Sequence, residues 1–295
     1  MEALYGTGVA LITPFNADFT IDVEALKQVV EHCIAGGVDY LVVLGTTGES
    51  VTLAKSEKQL VIKTVIEQNS GRLPLVLGVG GNNTFQLVDE LKSTNLEPFK
   101  AVLSVSPYYN KPTQEGIYRH YKMLAEASAI PIILYNVPSR TGSNVLPETV
   151  LRLAELPNIV AVKEASGNME QVNKIIGKKP EDFMVISGDD ITALETVLSG
   201  GSGVISVIAQ GLPSEFSKMI RLGLEHVEDE AFAMHEEMKE GMELIFKEGN
   251  PAGIKAMMAA QGLCNPEVRL PLVPATRELT AQIAGFMKSF KTIQA

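Results

Sequence analysis

IVAVKEA, residues 159–165, is a short apolar run that ends on a charge. Isoleucine, valine and alanine without polar alternation describe a strand buried on both faces, the kind found in parallel sheets covered by helices. Lys163 then puts an ammonium where desolvation disfavours the charged form and lowers its pKa. A neutral amine near pH 7 is a nucleophile that can hold a ketone or aldehyde as an imine, covalent catalysis that needs no cofactor. Taken alone, the segment is read more readily as a strand-end lysine that snorkels to water. Its surroundings shift that balance.

Outward from this run, others of strand length and β-branched composition recur: GVALITP from 8, DYLVVLG from 39, PLVLGVG from 74, KAVLSVS from 100, PIILYNV from 131, FMVISGD from 183 and GVISVIA from 203. Helix-period segments lie between most of them, such as EALKQVVEHCIAGG from 24, SEKQLVIKTVIEQN from 56 and PETVLRLAEL from 147, the last with proline in its first turn. Eight βα units close most economically into a barrel. The chain is therefore expected to be an α/β protein, a (β/α)8 TIM barrel over residues 1–224 with a C-terminal helical extension over 225–295. A doubly wound open sheet is the competing fold, and its dinucleotide-binding form lacks the required G-x-G-x-x-G after the first strand. In the extension, Asn250 before Pro251 is expected to cap a helix, and NPEVRLPLVPAT, residues 265–276, to be an exposed connector.

The 295 residues are 45% hydrophobic and 20% charged, an ordinary globular composition. A formal net charge of −10 leaves no basic stripe for nucleic-acid phosphates, so no nucleic-acid partner is expected. No run of eighteen apolar residues suggests a membrane span. The start, MEALYGTGVALITPF, has no basic n-region and its apolar stretch stops at Pro14, which points to a cytoplasmic protein. Cys33 and Cys264 stand singly in helix-like segments, and His32, His120, His226 and His235 are scattered among helical Glu and Lys. Neither set has ligand spacing, so no metal is expected.

In a barrel the C-terminal strand ends carry the chemistry. The second strand ends in GTTGES, residues 45–50, where glycines let backbone N–H groups turn inward and Thr46 and Thr47 add hydroxyls, a turn suited to a carboxylate. The fifth ends in LYNVPSRTG, with Tyr135 at the barrel mouth and Arg140 on the following loop; a phenol and a guanidinium suit a substrate with a proton to move and a carboxylate to hold. Tyr108 and Tyr109 after the fourth strand read more readily as packing or an oligomer contact than as catalysis, and Asp189 and Asp190 after the seventh equally as caps of the next helix. An imine-forming lysine, a phenol, hydroxyls and an arginine together suit an α-keto acid.

GVALITPF, GTTGES, YYNKP, YNVPSRTG, KEASGN, SGDD and GVISV, in this order and along essentially the whole chain, resemble the dihydrodipicolinate synthase and N-acetylneuraminate lyase family of pyruvate-dependent aldolases. GTTGE and YNVPSRTG resemble the synthase branch. The resemblance implies a lyase without cofactor that condenses pyruvate with L-aspartate 4-semialdehyde to 4-hydroxy-tetrahydrodipicolinate, in lysine and diaminopimelate biosynthesis. It implies that Lys163 forms the imine and Tyr135 shuttles protons, that Thr46 and Tyr109 form the relay, that Thr47 and the backbone at Ile205 contact pyruvate, and that Arg140 binds the aldehyde substrate's carboxylate. It also implies a homotetramer of two tight dimers, with Tyr109 reaching into the neighbour's site. One departure concerns feedback inhibition: Ser50, Asn82 and Tyr108 match the family's lysine site, but Gln86, Lys55 and Lys58 stand where a glutamate and often histidines occur. Fewer anions and more cations should weaken binding of a cationic ligand, so weak or absent inhibition by lysine is expected. The alternatives are an aldolase or lyase of the same family acting on a sugar-derived 2-keto acid such as N-acetylneuraminate, and a non-catalytic metabolite-binding barrel.

Overall fold

The computed structural model describes residues 2–293, and its eight strands close into a barrel in sequence order. They are β1 Gly6–Ala10, β2 Tyr40–Val43, β3 Leu75–Gly78, β4 Ala101–Val105, β5 Ile132–Asn136, β6 Ile159–Glu164, β7 Met184–Ser187 and β8 Gly203–Ser206. Every neighbouring pair is parallel, including β1 with β8. Each strand lies within the apolar run expected for it except β1, which starts two residues before its run and stops at Ala10. The helices are α1 Val23–Ala35, α2 Lys55–Asn69, α3 Thr84–Ser93, α4 Gln114–Ala127, α5 Pro138–Thr141, α6 Pro147–Ala154, α7 Met169–Ile176, α8 Ala193–Leu198, α9 Pro213–Leu224, α10 Glu228–Leu244, α11 Ala252–Ala259 and α12 Arg277–Ile293.

Alternation along the strands builds two apolar layers. Inward residues such as Ala10, Tyr40, Val42, Val76, Leu103, Ile133, Ala161 and Ile205 fill the barrel, whereas Val9, Leu41, Val102, Leu134 and Val162 face the helices. The filling is close: a Cβ at Gly8 would lie 2.2 Å from the Tyr40 ring, so glycine at that point is what admits the tyrosine. Met238, Met242, Ile254 and Met257 of the C-terminal helices belong to the same cluster as the outward strand residues, and the extension is packed onto the barrel wall. Among the described residues, no helix is long and apolar enough to cross a membrane.

Five local expectations need correction. Asn250 is not the cap of α11; the helix begins at Ala252 with Pro251 before it, and the Asn250 amide N–H donates to Thr47. Cys264 lies in a bend after α11, and His226 lies between α9 and α10 at φ 56°, so neither is helical. The connector is exposed from Leu270 to Pro274 but is pinned at Arg269, whose guanidinium bonds Glu57 and the carbonyls of Phe19 and Thr52. Neither aspartate after β7 is the N-cap of α8, a position held by Thr192.

Candidate active site

A cavity of about 470 Å³ opens at the C-terminal ends of the strands, and Thr46, Thr47, Tyr135, Arg140 and Lys163 all line it. Lys163 pairs with Tyr135 across β5 and β6, and its Nζ lies 4.4 Å from the tyrosine ring centroid. On the outer face of the same strand ends, the Glu164 carboxylate accepts bonds from Asn136, Gln171 and the Ser166 N–H, which fixes where β5 and β6 stop. The lysine is only 4% exposed. Burial pushes its pKa from 10.5 down to about 7; the Asp190 carboxylate opposes that fall and the Arg140 guanidinium adds to it. That shift brings the free base within reach at neutral pH.

Burial raises the Tyr135 phenol above its ordinary pKa, countered by Arg140 and by a hydrogen bond with the Thr46 side chain. Thr46, Thr47 and Gly48 form a single tight turn after β2, reached through Leu44 at φ 58° and an extended Gly45. Thr47 is buried, and its hydroxyl oxygen accepts the Asn250 amide at 2.9 Å. Arg140 sits on the one-turn helix α5 and donates to the Asn250 carbonyl at 3.2 Å. Asn250 thus ties two candidate residues to the C-terminal extension, and it too lines the cavity. Ile205 is on β8 with its side chain inside the barrel.

Asp189 and Asp190 separate in role. Asp189 lines the cavity and accepts from the Ile191 and Thr192 N–H groups. Asp190 is buried and accepts from the Val207 and Ile208 N–H groups just past β8, and burial raises its pKa to about 6. Gly188, before them, donates its N–H to the Glu164 carbonyl and leaves the space into which Lys163 runs.

Tyr109 is not brought to this cavity. It is 88% exposed at φ 72°, while Tyr108 lines an adjoining cavity of about 300 Å³ that shares Thr46, Tyr135 and Arg140 with the first. Ser50 lines that second cavity as well, and Asn82 donates to the Tyr108 carbonyl; Lys55 and Gln86 are exposed on α2 and α3.

Sequence reasoning missed Asn250 as a cavity residue, the bonds of Asp190, and Lys255. Lys255 is a second fully buried lysine, in the apolar run IKAMMAA of α11, and that anomaly was visible in the sequence. Unlike Lys163 it is paired, with the Glu49 carboxylate at 2.6 Å.

The sequence pattern of the Dihydrodipicolinate synthetase family matches residues 3–289. The chain belongs to that family. Its relatives in the family include the 4-hydroxy-tetrahydrodipicolinate synthase of Flavobacterium psychrophilum, 57% identical over 289 residues that cover 98% of this chain and 99% of the relative. The synthase of Parabacteroides distasonis is 52% identical over 94% of this chain and 93% of its own length. Among solved family structures, the dihydrodipicolinate synthase of Acinetobacter baumannii complexed with pyruvate superposes with a TM-score of 0.94 at 37% identity, covering 98% of this chain and 99% of that one.

Proposed function

We propose that the chain is a lyase that condenses pyruvate with L-aspartate 4-semialdehyde to 4-hydroxy-tetrahydrodipicolinate, the 4-hydroxy-tetrahydrodipicolinate synthase reaction of lysine and diaminopimelate biosynthesis. The observation that carries this reading is Lys163: a buried amine whose pKa is pushed down to about 7, facing a phenol inside a cavity that also holds a guanidinium. The names of the relatives support the same reaction.

In this reading neutral Lys163 attacks the keto carbon of pyruvate and water leaves, giving the imine. Tyr135, relayed through the Thr46 hydroxyl, removes a methyl proton to form the enamine, whose nucleophilic carbon attacks the aldehyde. Protonation of the new alkoxide leaves a hydroxyl; the substrate's amino group then adds to the imine carbon, releases Lys163 as the free amine and closes the ring. Thr47 and the backbone at Ile205 hold the pyruvate carboxylate, and Arg140 holds that of the semialdehyde. Burial serves the first step, since it frees the amine for attack.

Tyr109 completes the relay from a neighbouring copy. Its exposure on its own chain, and the adjoining cavity that shares Thr46 and Tyr135, support a phenol entering from a partner. A homotetramer of two such dimers, a cytoplasmic location and a division into a catalytic barrel over 1–224 and a helical extension over 225–295 belong to the same proposal.

The test is pyruvate consumption with aspartate semialdehyde and, separately, formation of pyruvate from N-acetylneuraminate. Turnover with the semialdehyde is expected; turnover with the sugar acid alone would select the lyase reading, and turnover with neither would remove both.

A further inference from the structure

The turn that carries Thr46 and Thr47 is held from three sides. The Thr13 hydroxyl donates to the Gly48 carbonyl at 2.7 Å, Asn250 donates to Thr47, and next along the chain stands Glu49, 3% exposed and in the left-handed region at φ 53°. A side chain other than glycine, asparagine or aspartate in that conformation persists only where the surroundings impose it. Here the surroundings are the C-terminal extension. One Glu49 carboxylate oxygen takes the Lys255 ammonium at 2.6 Å, and the other accepts the Arg269 backbone N–H at 2.9 Å. The ammonium in turn donates to the Glu267 carbonyl at 2.7 Å and sits 4.2 Å from the Phe15 ring centroid. The Arg269 guanidinium closes the circuit on Glu57, whose carboxylate accepts the Ala54 N–H at the start of α2.

We infer that Glu49 is a positioning residue: through the pair with Lys255, the C-terminal helices fix the Thr46–Thr47 turn in the place where it meets pyruvate. The inference rests on the proposed function, and it gives the extension a role in the chemistry. A buried ion pair is weak evidence for stability, because apolar residues of the same volume often do as well or better; fixing a register is its best-attested use. This one joins positions 206 residues apart, so the register of α11 against the turn is set by two charges that must meet. The carboxylate is two residues beyond Thr47. A shift there is passed to the Thr47 hydroxyl by a turn with no slack, and a misplacement of about 1 Å at a reacting site costs on the order of a hundredfold.

The test uses the full chain with Glu49→Leu/Lys255→Met, which removes both charges and keeps the volume apolar, and with Glu49→Gln, which keeps the shape and one acceptor and guards against failure of the first variant to fold. Imine formation is read by cyanoborohydride trapping on Lys163 against pyruvate concentration, steady-state kinetics against both substrates, and folding by circular dichroism and Tm. The expected result is a folded variant whose half-saturation for pyruvate rises about tenfold or more while that for the semialdehyde is unchanged. A folded double variant with wild-type pyruvate half-saturation overturns the inference. So does a fall in kcat that only matches the loss of folded protein, with both half-saturations unchanged. Absence of any Lys163 adduct in the unaltered protein would remove the proposed function itself, and this inference with it.

Discussion

Gly188→Ala tests how closely Lys163 is packed. A Cβ at position 188 would lie 2.9 Å from Lys163 Cε, 3.1 Å from Lys163 Cγ and 2.6 Å from the Cβ of Ala165. Carbon atoms rest at about 3.5–4.0 Å, so each contact is short by roughly half an ångström to more than one. Ala165 has no torsion with which to retreat, and the backbone after β6 must move. Lys163 can retreat, because its far carbons turn about single bonds, and the yielding element is therefore the reacting amine. Overpacking of this kind costs about 1–3 kcal/mol of stability, and a displacement of about 1 Å at the nucleophile costs on the order of a hundredfold in rate, equivalent to about 2.7 kcal/mol of barrier. Gly188→Ala/Ala165→Gly separates the two effects: it removes the clash with Ala165 and leaves the contact with Lys163. Stability should return in the double variant while imine formation stays slow. The assay is the rate of cyanoborohydride trapping of pyruvate on Lys163 at fixed pH, beside Tm. A wild-type trapping rate in the single variant, or full recovery of rate in the double variant, would show that the amine does not depend on the missing side chain.

Further outcomes follow from the charges. With Lys163 near 7, the trapping rate should fall about tenfold per pH unit below that value; an ordinary lysine at 10.5 would instead keep rising through pH 9, with only about one amine in 3000 free at pH 7. Asp190→Asn removes the carboxylate that raises the Lys163 pKa, so the inflection should move to lower pH, and an upward move would contradict the assigned sign. His120 is buried with its pKa depressed from 6.5 to about 4. The unfolded chain therefore binds a proton there that the folded chain does not, and the penalty begins as pH falls through 6.5, reaching about 3 kcal/mol near pH 4. Asp190, raised from 3.8 to about 6, acts in the opposite sense within that window, so wild-type stability alone hides the effect. Urea denaturation of wild type minus His120→Gln between pH 7 and 4 cancels Asp190; a difference independent of pH would refute the assignment. Finally, Lys55 and Lys58 on α2 and the uncharged Gln86 should leave the enzyme uninhibited by sub-millimolar lysine in a steady-state assay.

The sequence carried the barrel because its signals are local. Each strand is a short β-branched run between polar turns, and burial on both faces removes the alternation that an antiparallel sheet would show. Lys163 stood out for the same reason, as a charge inside such a run. The bonds that locate the site came from far along the chain and left no local trace. Asn-Pro at 250–251 reads as a helix start, yet the helix begins at Ala252 and the Asn250 amide reaches Thr47, 203 residues away. Lys255 is the same anomaly as Lys163, a lysine among apolar residues, and only the approach of Glu49 separates a structural ion pair from a free amine. Asp190 adjoins a helix in sequence, yet its carboxylate is spent on the N–H groups past the neighbouring strand. Tyr109 could be matched to its motif but not placed, since its own chain leaves it in solvent.

The central claim is that the amine of Lys163, and no other, receives pyruvate. Borohydride reduction in the presence of pyruvate, followed by peptide mapping of the modified lysines, tests it directly. Lys255 is the internal control, equally buried but paired with Glu49, whose carboxylate opposes the fall that burial causes in its pKa. One reduced pyruvate adduct per chain, on Lys163 and dependent on pyruvate, is the expected result; an adduct on Lys255 or on a surface lysine in its place, or none at all, would contradict it.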